Sequence, residues 1–383
     1  MAKILGIIGG GQLGMMLTEA AKNMPLDISK VIVLDPTKNC PAAKVGAEQI
    51  IADFKDESSI RELAERSDII TYEIESGNSS VLKNLETRCE INPSPETLSI
   101  IQDKFRQKKF LDDNEIPVAK FGEISSKSDL DSKINEFGLP VLLKTRRDAY
   151  DGRGNFKINS IDQVTDALKV FDGKSLMVEE YIDFEMEVSV IAARSTNGEI
   201  QTFPVVENIH EENILKMTIA PARISTEISQ KAEQIAHKTM EVLHGAGVFG
   251  IEMFVTKNQE ILINEIAPRV HNSGHHTLQS SKTSQFEQHL RAILGMKLGS
   301  VGLLHPTIMY NILGPKNFKG RYKTPIINFD NAYLKMYGKL ESKPKRKIGH
   351  VNLVDQDEIG IEKLLVNMSK LQENIIIEPD NTE

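Results

Sequence analysis

The chain has 383 residues, of which 40% are hydrophobic and 26% are charged, and its formal net charge is −8. This composition indicates a globular protein of roughly two to four domains, and it excludes a disordered chain, a collagen-like repeat and a disulfide-stapled scaffold. The net acidity argues against binding along a nucleic acid, although a local basic pocket for one phosphate is compatible with it. With only two cysteines, Cys40 and Cys89, and no long apolar run, we expect a cytoplasmic protein that does not enter a membrane.

The N-terminal part alternates short apolar strands with helical segments, which predicts a parallel sheet covered by helices. The expected elements are strands at Lys3–Ile8, Val31–Leu34, Ile50–Ile51 and Asp68–Tyr72 and helices at Gln12–Asn23 and Ile60–Ala64. The proline-rich segment Asn92–Pro95 then favours a domain boundary.

The remainder of the chain shows an α+β pattern of longer strands and amphipathic helices. Helices are expected at Ile100–Asn114, at Glu227–His244 and after Ser284. Strands are expected at Pro140–Arg146, Ser175–Glu180, Glu185–Arg194, Ile200–Val206, Val248–Val255 and Glu260–Ile266. The segment from Asp355 to Glu383 is interpreted as a polar tail without an assignable function.

A glycine loop, Gly9–Gly14, joins the first strand to the first helix with G-x-G-x-x-G spacing, and Asp35 ends the next strand. Such glycines let backbone N–H groups and a helix N-terminus approach a phosphate. Alone, this motif favours an NAD-dependent oxidoreductase. The same geometry also serves the phosphate of a mononucleotide, and a tight turn without a ligand is a third interpretation.

Two glutamates on the last predicted hairpin carry the strongest chemical signal. With Asn258-Gln259 at the tip, the facing pairs are Glu252 with Glu265, Phe254 with Ile263, and Lys257 with Glu260. Facing carboxylates among apolar neighbours cost stability unless a positive charge lies between them. Mg²⁺ is held by one or two carboxylates together with substrate phosphates, so the pair predicts a magnesium site. Two solvent-facing glutamates, or a proton shared between them, are the alternatives.

Lys144 ends an apolar strand and precedes the charged, glycine-containing loop Asp148–Asn155. A strand lysine supplies a point charge for a phosphate, and such a loop suits a flap that closes over phosphates and excludes water. A solvated charged hairpin is the alternative interpretation.

The stretch Glu265–Thr277, together with Gly9–Gly14, Tyr72-Glu73, Tyr150–Gly154 and Gly349-His350, closely resembles the 5-(carboxyamino)imidazole ribonucleotide synthetase family, the ATP-grasp carboxylases of purine biosynthesis. The resemblance covers nearly the whole chain. It implies an α/β and α+β protein with an ATP-grasp fold. The implied parts are a Rossmann-like domain at 1–100, ATP-grasp lobes at 101–175 and 176–300, and a small closing domain at 301–383.

The implied activity is that of an ATP-dependent carbon–nitrogen ligase. Bicarbonate would be activated as carboxyphosphate and would carboxylate the amine of 5-aminoimidazole ribonucleotide, with release of ADP and phosphate, on the route to IMP. ATP is the implied co-substrate, Mg²⁺ or Mn²⁺ the metal, and a homodimer the assembly. Alternatives are a sibling ATP-grasp enzyme, such as formate-dependent glycinamide ribonucleotide transformylase, and a non-catalytic nucleotide sensor.

The resemblance also implies roles for individual residues. The implied ATP contacts are Lys104, Lys144, Ala149, Tyr150, Asp151, Gly152, Arg153, Gly154, Asn155, Glu179, Glu180, Tyr181, Ile182, Glu187, His210, Asn264 and Glu265. The implied contacts to the ribonucleotide are Gly11, Gln12, Leu13, Glu73, Tyr150, Arg153, Asn272, Ser273, Lys339 and Arg346. The metal would be held by Glu252 and Glu265, and the catalytic residues would be Arg269, Asp151, Arg153 and Glu73. Two departures from the family pattern are Ala267, where related enzymes carry an Asn ligand, and a flap with fewer glycines before Tyr150.

Overall fold

The structure is a computed structural model that describes residues 1–148 and 154–380. Its N-terminal sheet is parallel, as predicted, with spatial order β3-β2-β1-β4-β5. The strands are β1 (Lys3–Ile8), β2 (Ile28–Leu34), β3 (Glu48–Ile50), β4 (Ile69–Tyr72) and β5 (Glu90–Ile91). The connecting helices are α1 (Gln12–Lys22), α2 (Pro41–Lys44), α3 (Glu57–Glu65), α4 (Ser79–Leu85) and α5 (Pro95–Ile101).

The strand order of this sheet reverses between β1 and β4. In such sheets the loops that leave the two strands diverge and leave a crevice at the carboxyl edge, which is where ligands bind. The loop after β1 is the glycine loop, and the residue after β4 is Glu73. The topology therefore brings Gly9–Gly14 and Glu73 together.

The helix predicted at Ile100–Asn114 is interrupted, so this prediction was wrong at its N-terminal end. Ile100 and Ile101 end α5, and α6 spans Lys104–Asp113. Asp103 lies between them in an extended conformation, and its carboxylate accepts hydrogen bonds from the N–H groups of Phe105 and Arg106 at 3.1 and 3.2 Å. An aspartate that caps a helix in this way starts a new helix, because it satisfies donors that have no intrahelical partner.

A four-stranded antiparallel sheet follows, with spatial order β6-β9-β7-β8. Its strands are β6 (Phe121–Ile124), β7 (Val141–Thr145), β8 (Asn155–Ile158) and β9 (Leu176–Glu180), and its helices are α7 (Lys127–Phe137) and α8 (Val164–Val170) with a 3₁₀ turn at Ile161–Gln163. The expected boundary at 175 assigns β9 to the second lobe. In the structure, β9 pairs with β6 and β7, so this sheet continues to Glu180.

The third sheet has nine strands, in the order β15-β14-β10-β12-β13-β16-β18-β17, with β11 paired to β10. Its strands are β10 (Phe184–Arg194), β11 (Ile200–Thr202), β12 (Val206–Glu211), β13 (Ile214–Ala220), β14 (Gly247–Thr256), β15 (Ile261–Ala267), β16 (Thr307–Leu313), β17 (Ala332–Met336) and β18 (Lys347–Val354). The remaining helices are α9 (Thr226–Val242), α10 (Thr277–Ser280), α11 (Gln285–Ile293) and α12 (Ile361–Glu373), with a 3₁₀ turn at Asn272–Gly274.

Two features of this sheet differ from the sequence-based expectation. The strand expected at Ile200–Val206 is two strands, because β11 ends at Thr202 and β12 begins at Val206. The C-terminal strands do not form a sheet of their own, because β16 pairs with β13 and extends the same sheet. The segment interpreted as a polar tail contains α12, whose Leu364, Met368 and Leu371 are buried against this extension. Within the described ranges, no helix has both the length and the apolar composition needed to cross a bilayer.

The hairpin of β14 and β15 contains a β-bulge. Glu252 faces Glu265, which confirms that pair, but Met253 then faces Ile263, so Asn264 is an extra residue on β15. Beyond the bulge the predicted register was wrong by one residue, since Phe254 faces Leu262 instead of Ile263. At the tip, the Thr256 N–H donates to the Glu260 carbonyl at 2.9 Å, so Lys257 lies inside the turn and does not face Glu260.

Candidate active site

The facing glutamates form an electrostatically asymmetric pair. Burial and the neighbouring Glu265 raise the pKa of Glu252 to about 7. Lys104 lowers the pKa of Glu265, because its Nζ lies 2.6 Å from Glu265 Oε2. The described residues contain no group of three or more His, Cys, Asp or Glu side chains that would hold a metal by itself. The pair therefore offers carboxylate oxygens to a cation whose other ligands must come from elsewhere, which is how Mg²⁺ is held beside nucleotide phosphates.

A second group of charged side chains consists of two further lysines and a buried glutamate. Lys144 Nζ donates to Glu179 Oε2 at 2.7 Å, and Lys108 Nζ lies 3.8 Å from Glu179 Oε1. Burial would raise the pKa of Glu179, but Lys108 and Lys144 outweigh it, and the pKa is lowered. Lys104, Lys108 and Lys144 are therefore brought together beside Glu179 and Glu265, so cationic side chains cluster here in a protein whose net charge is negative.

The residues expected to bind adenosine lie along β9, β10 and β12. Glu179 and Glu180 end β9, and the exposed Tyr181 and the half-buried Ile182 connect it to β10, between the two sheets. The Lys157 ammonium lies 3.5 Å from the centre of the Tyr181 ring. This connection has the position of a hinge between the lobes.

Glu187 and His210 lie on the neighbouring strands β10 and β12, and His210 Nδ1 is hydrogen-bonded to Glu187 Oε2 although the residue directly opposite Glu187 is Asn208. Burial would lower the pKa of His210, but the bond to Glu187 outweighs it and the pKa is raised. Both residues line one small cleft with Glu252 and Asn264. The structure thus brings four of the residues singled out from the sequence to one place.

Arg269 follows β15 and lies between the two halves of the site. Its Nε is 2.8 Å from Glu75 Oε1, so this carboxylate, which sequence reasoning missed, holds the guanidinium. His271 lies two residues further on, and its Nε2 is 3.4 Å from Glu252 Oε1. Burial, reinforced by Arg269, lowers the pKa of His271 to about 3, so the imidazole is neutral.

A buried hydrogen-bond chain leads to His271 from the neighbouring strands. Ser273 Oγ is 2.9 Å from His271 Nδ1, and Ser189 Oγ donates to Ser273 Oγ at 2.8 Å. Asn208 Nδ2 in turn donates to Ser189 Oγ at 2.9 Å. The Ser273 N–H also points at His271 Nδ1, at 3.4 Å. Nδ1 is therefore the acceptor, and Nε2 carries the proton that faces Glu252.

The glycine loop holds a carboxylate of the protein itself. Glu73 Oε1 accepts from the Gly11 N–H at 2.8 Å, and Oε2 accepts from the N–H groups of Leu13 and Gly14 at 3.1 Å each. The loop needs its glycines: Gly9 has φ of +98°, and a Cβ on Gly14 would lie 2.7 Å from the Gly9 carbonyl oxygen. Two amides of the segment expected to bind a substrate phosphate are therefore occupied by Glu73.

Lys339, from the C-terminal part of the chain, lies near this carboxylate, and Arg346 lies near Lys339. Lys339 Nζ donates to the Lys347 carbonyl at 2.6 Å. Burial, with repulsion from Arg346, lowers the pKa of Lys339 to about 7, and attraction to Glu73 opposes the shift. Glu73 also interacts with Arg269, which partly offsets the burial that raises the pKa of Glu73. Glu73 therefore interacts electrostatically with Arg269 and Lys339 beside the glycine loop, and Arg346 lies close enough to Lys339 to affect its pKa.

Part of the expected flap lies outside the described residues, namely Ala149, Tyr150, Asp151, Gly152 and Arg153. Of its other members, Asn155 begins β8 opposite Lys144, and the Gly154 carbonyl accepts from the Thr145 N–H at 2.9 Å.

Several side chains that organise the site were not found from the sequence. Gln285 Oε1 accepts from the His271 N–H at 2.8 Å and its Nε2 donates to the His271 carbonyl at 2.7 Å, which fixes the segment after Arg269. Arg146 is bound by Asp103 at 2.7 and 2.9 Å. Asp103 carried a usable signal, since an aspartate before an amphipathic run is typical of a helix N-terminus. Gln285 and Glu75 carry no signal in a single sequence.

The two lobes, the hinge and the paired carboxylates define the class: this is an ATP-grasp ligase, and the ATP-grasp domain family matches residues 109–286. The ribonucleotide synthetase preATP-grasp domain matches residues 1–102, and the phosphoribosylaminoimidazole carboxylase C-terminal domain matches residues 307–363. The N5-carboxyaminoimidazole ribonucleotide synthase of Bacillus subtilis is 42% identical over 355 residues, which are 93% of this chain and 92% of that one. The chain therefore belongs to the N5-carboxyaminoimidazole ribonucleotide synthase family, ATP-dependent ligases of purine biosynthesis.

Solved structures agree with this assignment. The N5-carboxyaminoimidazole ribonucleotide synthetase of Thermotoga maritima is similar with a TM-score of 0.89 at 42% identity, covering 99% of this chain and 100% of that one. The Aspergillus clavatus N5-carboxyaminoimidazole synthase, solved with ADP and 5-aminoimidazole ribonucleotide, has a TM-score of 0.88 at 34% identity and covers 97% and 98%. The comparisons favour neither the oxidoreductase nor the glycinamide ribonucleotide transformylase alternative.

Proposed function

We propose that the chain uses ATP and bicarbonate to carboxylate the exocyclic amine of 5-aminoimidazole ribonucleotide, with the residues described above in the following roles. The proposal depends on one observation above all. The Glu252–Glu265 pair lies between Lys104 on one side and the Arg269–Ser273 segment on the other, with His271 Nε2 3.4 Å from Glu252. The nucleotide end and the substrate end of the site are thus joined through these two carboxylates.

Lys104, Lys144, Glu187 and His210 bind ATP, with Glu179–Ile182 as the adenine hinge. Glu252 and Glu265 hold Mg²⁺, or Mn²⁺ as an alternative ion, and the raised pKa of Glu252 beside Glu265 fits a pair that a cation would relieve. When bound, the metal supplies neutralisation of the charge on the β- and γ-phosphates. The side chains of Lys104 and Lys144 orient the same phosphates for in-line transfer.

The first chemical step takes place beside Arg269. A bicarbonate oxygen attacks the γ-phosphorus, the bond from that phosphorus to the β–γ bridging oxygen breaks, and ADP leaves with the bond electrons. The product is carboxyphosphate. Arg269, held by Glu75, stabilises the negative charge that spreads over the transferring group. The flap residues Ala149–Asn155 cover the phosphates and keep water from the mixed anhydride.

The second step transfers the carboxyl group to the amine. The amine nitrogen bonds to the carboxyl carbon, either of carboxyphosphate or of CO₂ released from it, and the bond from that carbon to the phosphate oxygen breaks. The amine loses one proton. Glu73 and Asp151 orient the amine or take this proton, and Tyr150 and Arg153 are assigned as further contacts of the ribonucleotide. Asn272 supports a ligand contact here, because its buried side-chain amide has no hydrogen-bond partner among the described residues.

The phosphate of the ribonucleotide is bound by Lys339 and Arg346. The loop Gly11-Gln12-Leu13 contributes by holding Glu73 in place, and the side chain of Gln12 lies beside the phosphate. This division of roles is supported by the amides that Glu73 already occupies.

Catalysis is expected to depend on the protonation of Lys339. Only its ammonium form binds a phosphate strongly, and its pKa in the free protein is lowered to about 7. The value of kcat/KM for the ribonucleotide should therefore fall as the pH rises through about 7, because kcat/KM reports ionisations of the free enzyme. With Lys339→Met this limb of a profile recorded from about pH 6 to 9 should flatten. An unchanged alkaline limb in the variant would assign the ionisation to another group.

We also propose domain boundaries, an oligomeric state and a cellular location for the chain. We propose four domains, at 1–100, 101–180, 181–300 and 301–383. The second boundary moves from the expected residue 175 to residue 180 because β9 belongs to the earlier sheet. We further propose a homodimer in the cytoplasm that contacts neither nucleic acid nor membrane. Two buried free thiols, Cys40 and Cys89, and the net charge of −8 support this setting.

Release of ADP tests the proposed reaction. In a coupled assay with MgATP, bicarbonate and 5-aminoimidazole ribonucleotide, we expect rapid ADP release that drops to a low background when the ribonucleotide is omitted. Full activity with formate and glycinamide ribonucleotide instead would favour the sibling enzyme. Tight binding of NAD(H) without any ATP binding would support the oxidoreductase.

A further inference from the structure

The bulge at Asn264 decides which residue faces Glu252. Near the tip of the hairpin, Val255 pairs with Ile261 and Met253 with Ile263. If this pairing continued without interruption, Asn264 would face Glu252, and Glu265 would point to the opposite face of the sheet, because neighbouring residues of a strand alternate. The extra residue shifts the register by one and puts Glu265 opposite Glu252.

The bulge also changes which backbone groups of β15 point away from β14. β15 is an edge strand, so its backbone groups that point away from β14 need partners other than a strand of the same sheet. Such groups recur every second residue in a regular strand. Here the residues that bond outward are Ile263 and Ile266, three apart, because Asn264 intervenes.

Helix α6 supplies partners for both residues, and Pro117, after the helix, supplies one more. Lys108 Nζ donates to the Ile263 carbonyl at 2.9 Å, while the Ile263 N–H donates to the Pro117 carbonyl at 2.8 Å. Gln107 Oε1 accepts from the Ile266 N–H at 3.1 Å, and its Nε2 lies 3.5 Å from the Ile266 carbonyl. Both side chains are almost fully buried, with 4% of Gln107 and 3% of Lys108 exposed.

These contacts are specific to the bulged register. Lys104, Gln107 and Lys108 lie on one face of α6, since residues three and four apart are neighbours on a helix. They meet Glu265, Ile266 and Ile263 respectively. Without the bulge, the outward-facing residue after Ile263 would be Glu265, and the Gln107 amide would lose the Ile266 backbone groups that it binds. A buried amide left in that state is costly, so the helix favours the bulge.

We propose that Gln107 and Lys108 are positioning residues, which hold the bulge of β15 and thereby keep Glu265 opposite Glu252. This inference rests on the proposed role of the two glutamates as metal ligands. Gln107 acts through the backbone of β15. Lys108 acts through the Ile263 carbonyl and also lies 3.8 Å from Glu179 Oε1, so Gln107→Leu is the cleaner of the two variants.

The test measures the apparent affinity for the divalent cation. Variants Gln107→Leu and Lys108→Met are titrated with Mn²⁺ and with Mg²⁺ at saturating ATP, and kcat and the KM for the ribonucleotide are recorded. We expect the apparent KM for the metal to rise about tenfold or more, as is typical when groups that orient metal ligands are removed. The KM for the ribonucleotide should stay within about twofold of wild type, because Lys339 and Arg346 are untouched.

Lys109→Met is the matched control, since Lys109 lies on the exposed face of the same helix and pairs only with Asp113 in the structure described. Gln107→Glu keeps the acceptor for the Ile266 N–H and should give a smaller rise in the metal KM. If Gln107→Leu and Lys108→Met do not fold, Gln107→Glu takes their place in the test. A wild-type metal KM in folded Gln107→Leu and Lys108→Met, or in Gln107→Glu if only that variant folds, would overturn the inference. So would a crystal structure of Gln107→Leu with Glu265 still opposite Glu252.

A parallel titration of Glu265→Gln separates this inference from the proposed function. If that variant keeps the wild-type metal dependence, the metal assignment itself fails, and the role of Gln107 and Lys108 fails with it. If the metal KM of Glu265→Gln rises, or its metal-dependent activity is lost, while the α6 variants keep the wild-type metal KM, only the positioning role fails.

Discussion

Replacing Glu265 with glutamine is expected to abolish most of the turnover without unfolding the protein. The substitution conserves shape at a side chain that is 47% exposed, so the free energy of unfolding should change little. It removes one of two facing carboxylates and leaves Lys104 without the partner 2.6 Å away. Loss of one hydrogen-bond donor to the charge of a transition state costs about 10²–10³-fold in kcat, and loss of a metal ligand should cost at least that.

The measurement is steady-state ADP release at saturating substrates, together with a thermal unfolding curve. Glu260→Gln is the matched control, because Glu260 is exposed on the same hairpin and lies at its turn. The control should retain wild-type kcat. Near-normal turnover of Glu265→Gln would remove the metal assignment, whereas loss of activity with a collapsed unfolding transition would show a purely structural role.

Lys339→Ala and Arg346→Ala are expected to weaken binding of the ribonucleotide selectively. A hydrogen bond to a charged group contributes about 1.5–3 kcal/mol, so each substitution should raise the KM for the ribonucleotide by about 10–150-fold. The KM for ATP should change little, because Lys104, Lys144 and the hinge, which are the proposed ATP contacts, are untouched. The measurement is a pair of saturation curves, one for each substrate.

Lys343→Ala provides the control for net charge, since Lys343 is an exposed lysine of the same segment. It should leave both KM values near wild type. The reverse pattern, with a raised KM for ATP and an unchanged KM for the ribonucleotide, would refute the placement of Lys339 and Arg346 at the substrate phosphate.

The sequence predicts the central glutamate pair but not the reason that the pair exists. In the prediction, a hairpin with a two-residue tip and no bulge places Glu252 opposite Glu265. In the structure the turn is longer, with Gln259 at φ of +62°, and the bulge at Asn264 restores the pair. The bulge depends on Gln107 and Lys108, more than 150 residues earlier in the chain. A contact between residues so far apart in the sequence produces no periodic pattern of residue types in the strand itself.

The glycine loop shows a second limit of sequence reasoning. Gly9–Gly14 matches a phosphate-binding fingerprint because converging backbone amides bind any oxyanion. The carboxylate of Glu73 is such an oxyanion, and it follows the neighbouring strand at the point where the strand order reverses. The motif thus predicts the donors correctly, but the acceptor is set by the topology of the sheet.

Local patterns predict the strands and helices better than they predict their grouping. The parallel N-terminal sheet follows from its alternating elements. The pairing of β13 with β16 joins segments almost a hundred residues apart, and this pairing makes the C-terminal strands part of the nine-stranded sheet. The hairpin of β12 and β13 was also missed, although Glu212 and Asn213, both with positive φ, form the kind of tight turn that asparagine favours.

The most direct test of the central claim follows oxygen from bicarbonate to phosphate. If bicarbonate attacks the γ-phosphorus of ATP and the carboxyl carbon later separates from the bridging oxygen, one bicarbonate oxygen ends in inorganic phosphate. With ¹⁸O-labelled bicarbonate, ATP and 5-aminoimidazole ribonucleotide, we expect one ¹⁸O atom in each phosphate formed. Phosphate without the label, formed together with carboxylated product, would contradict the account.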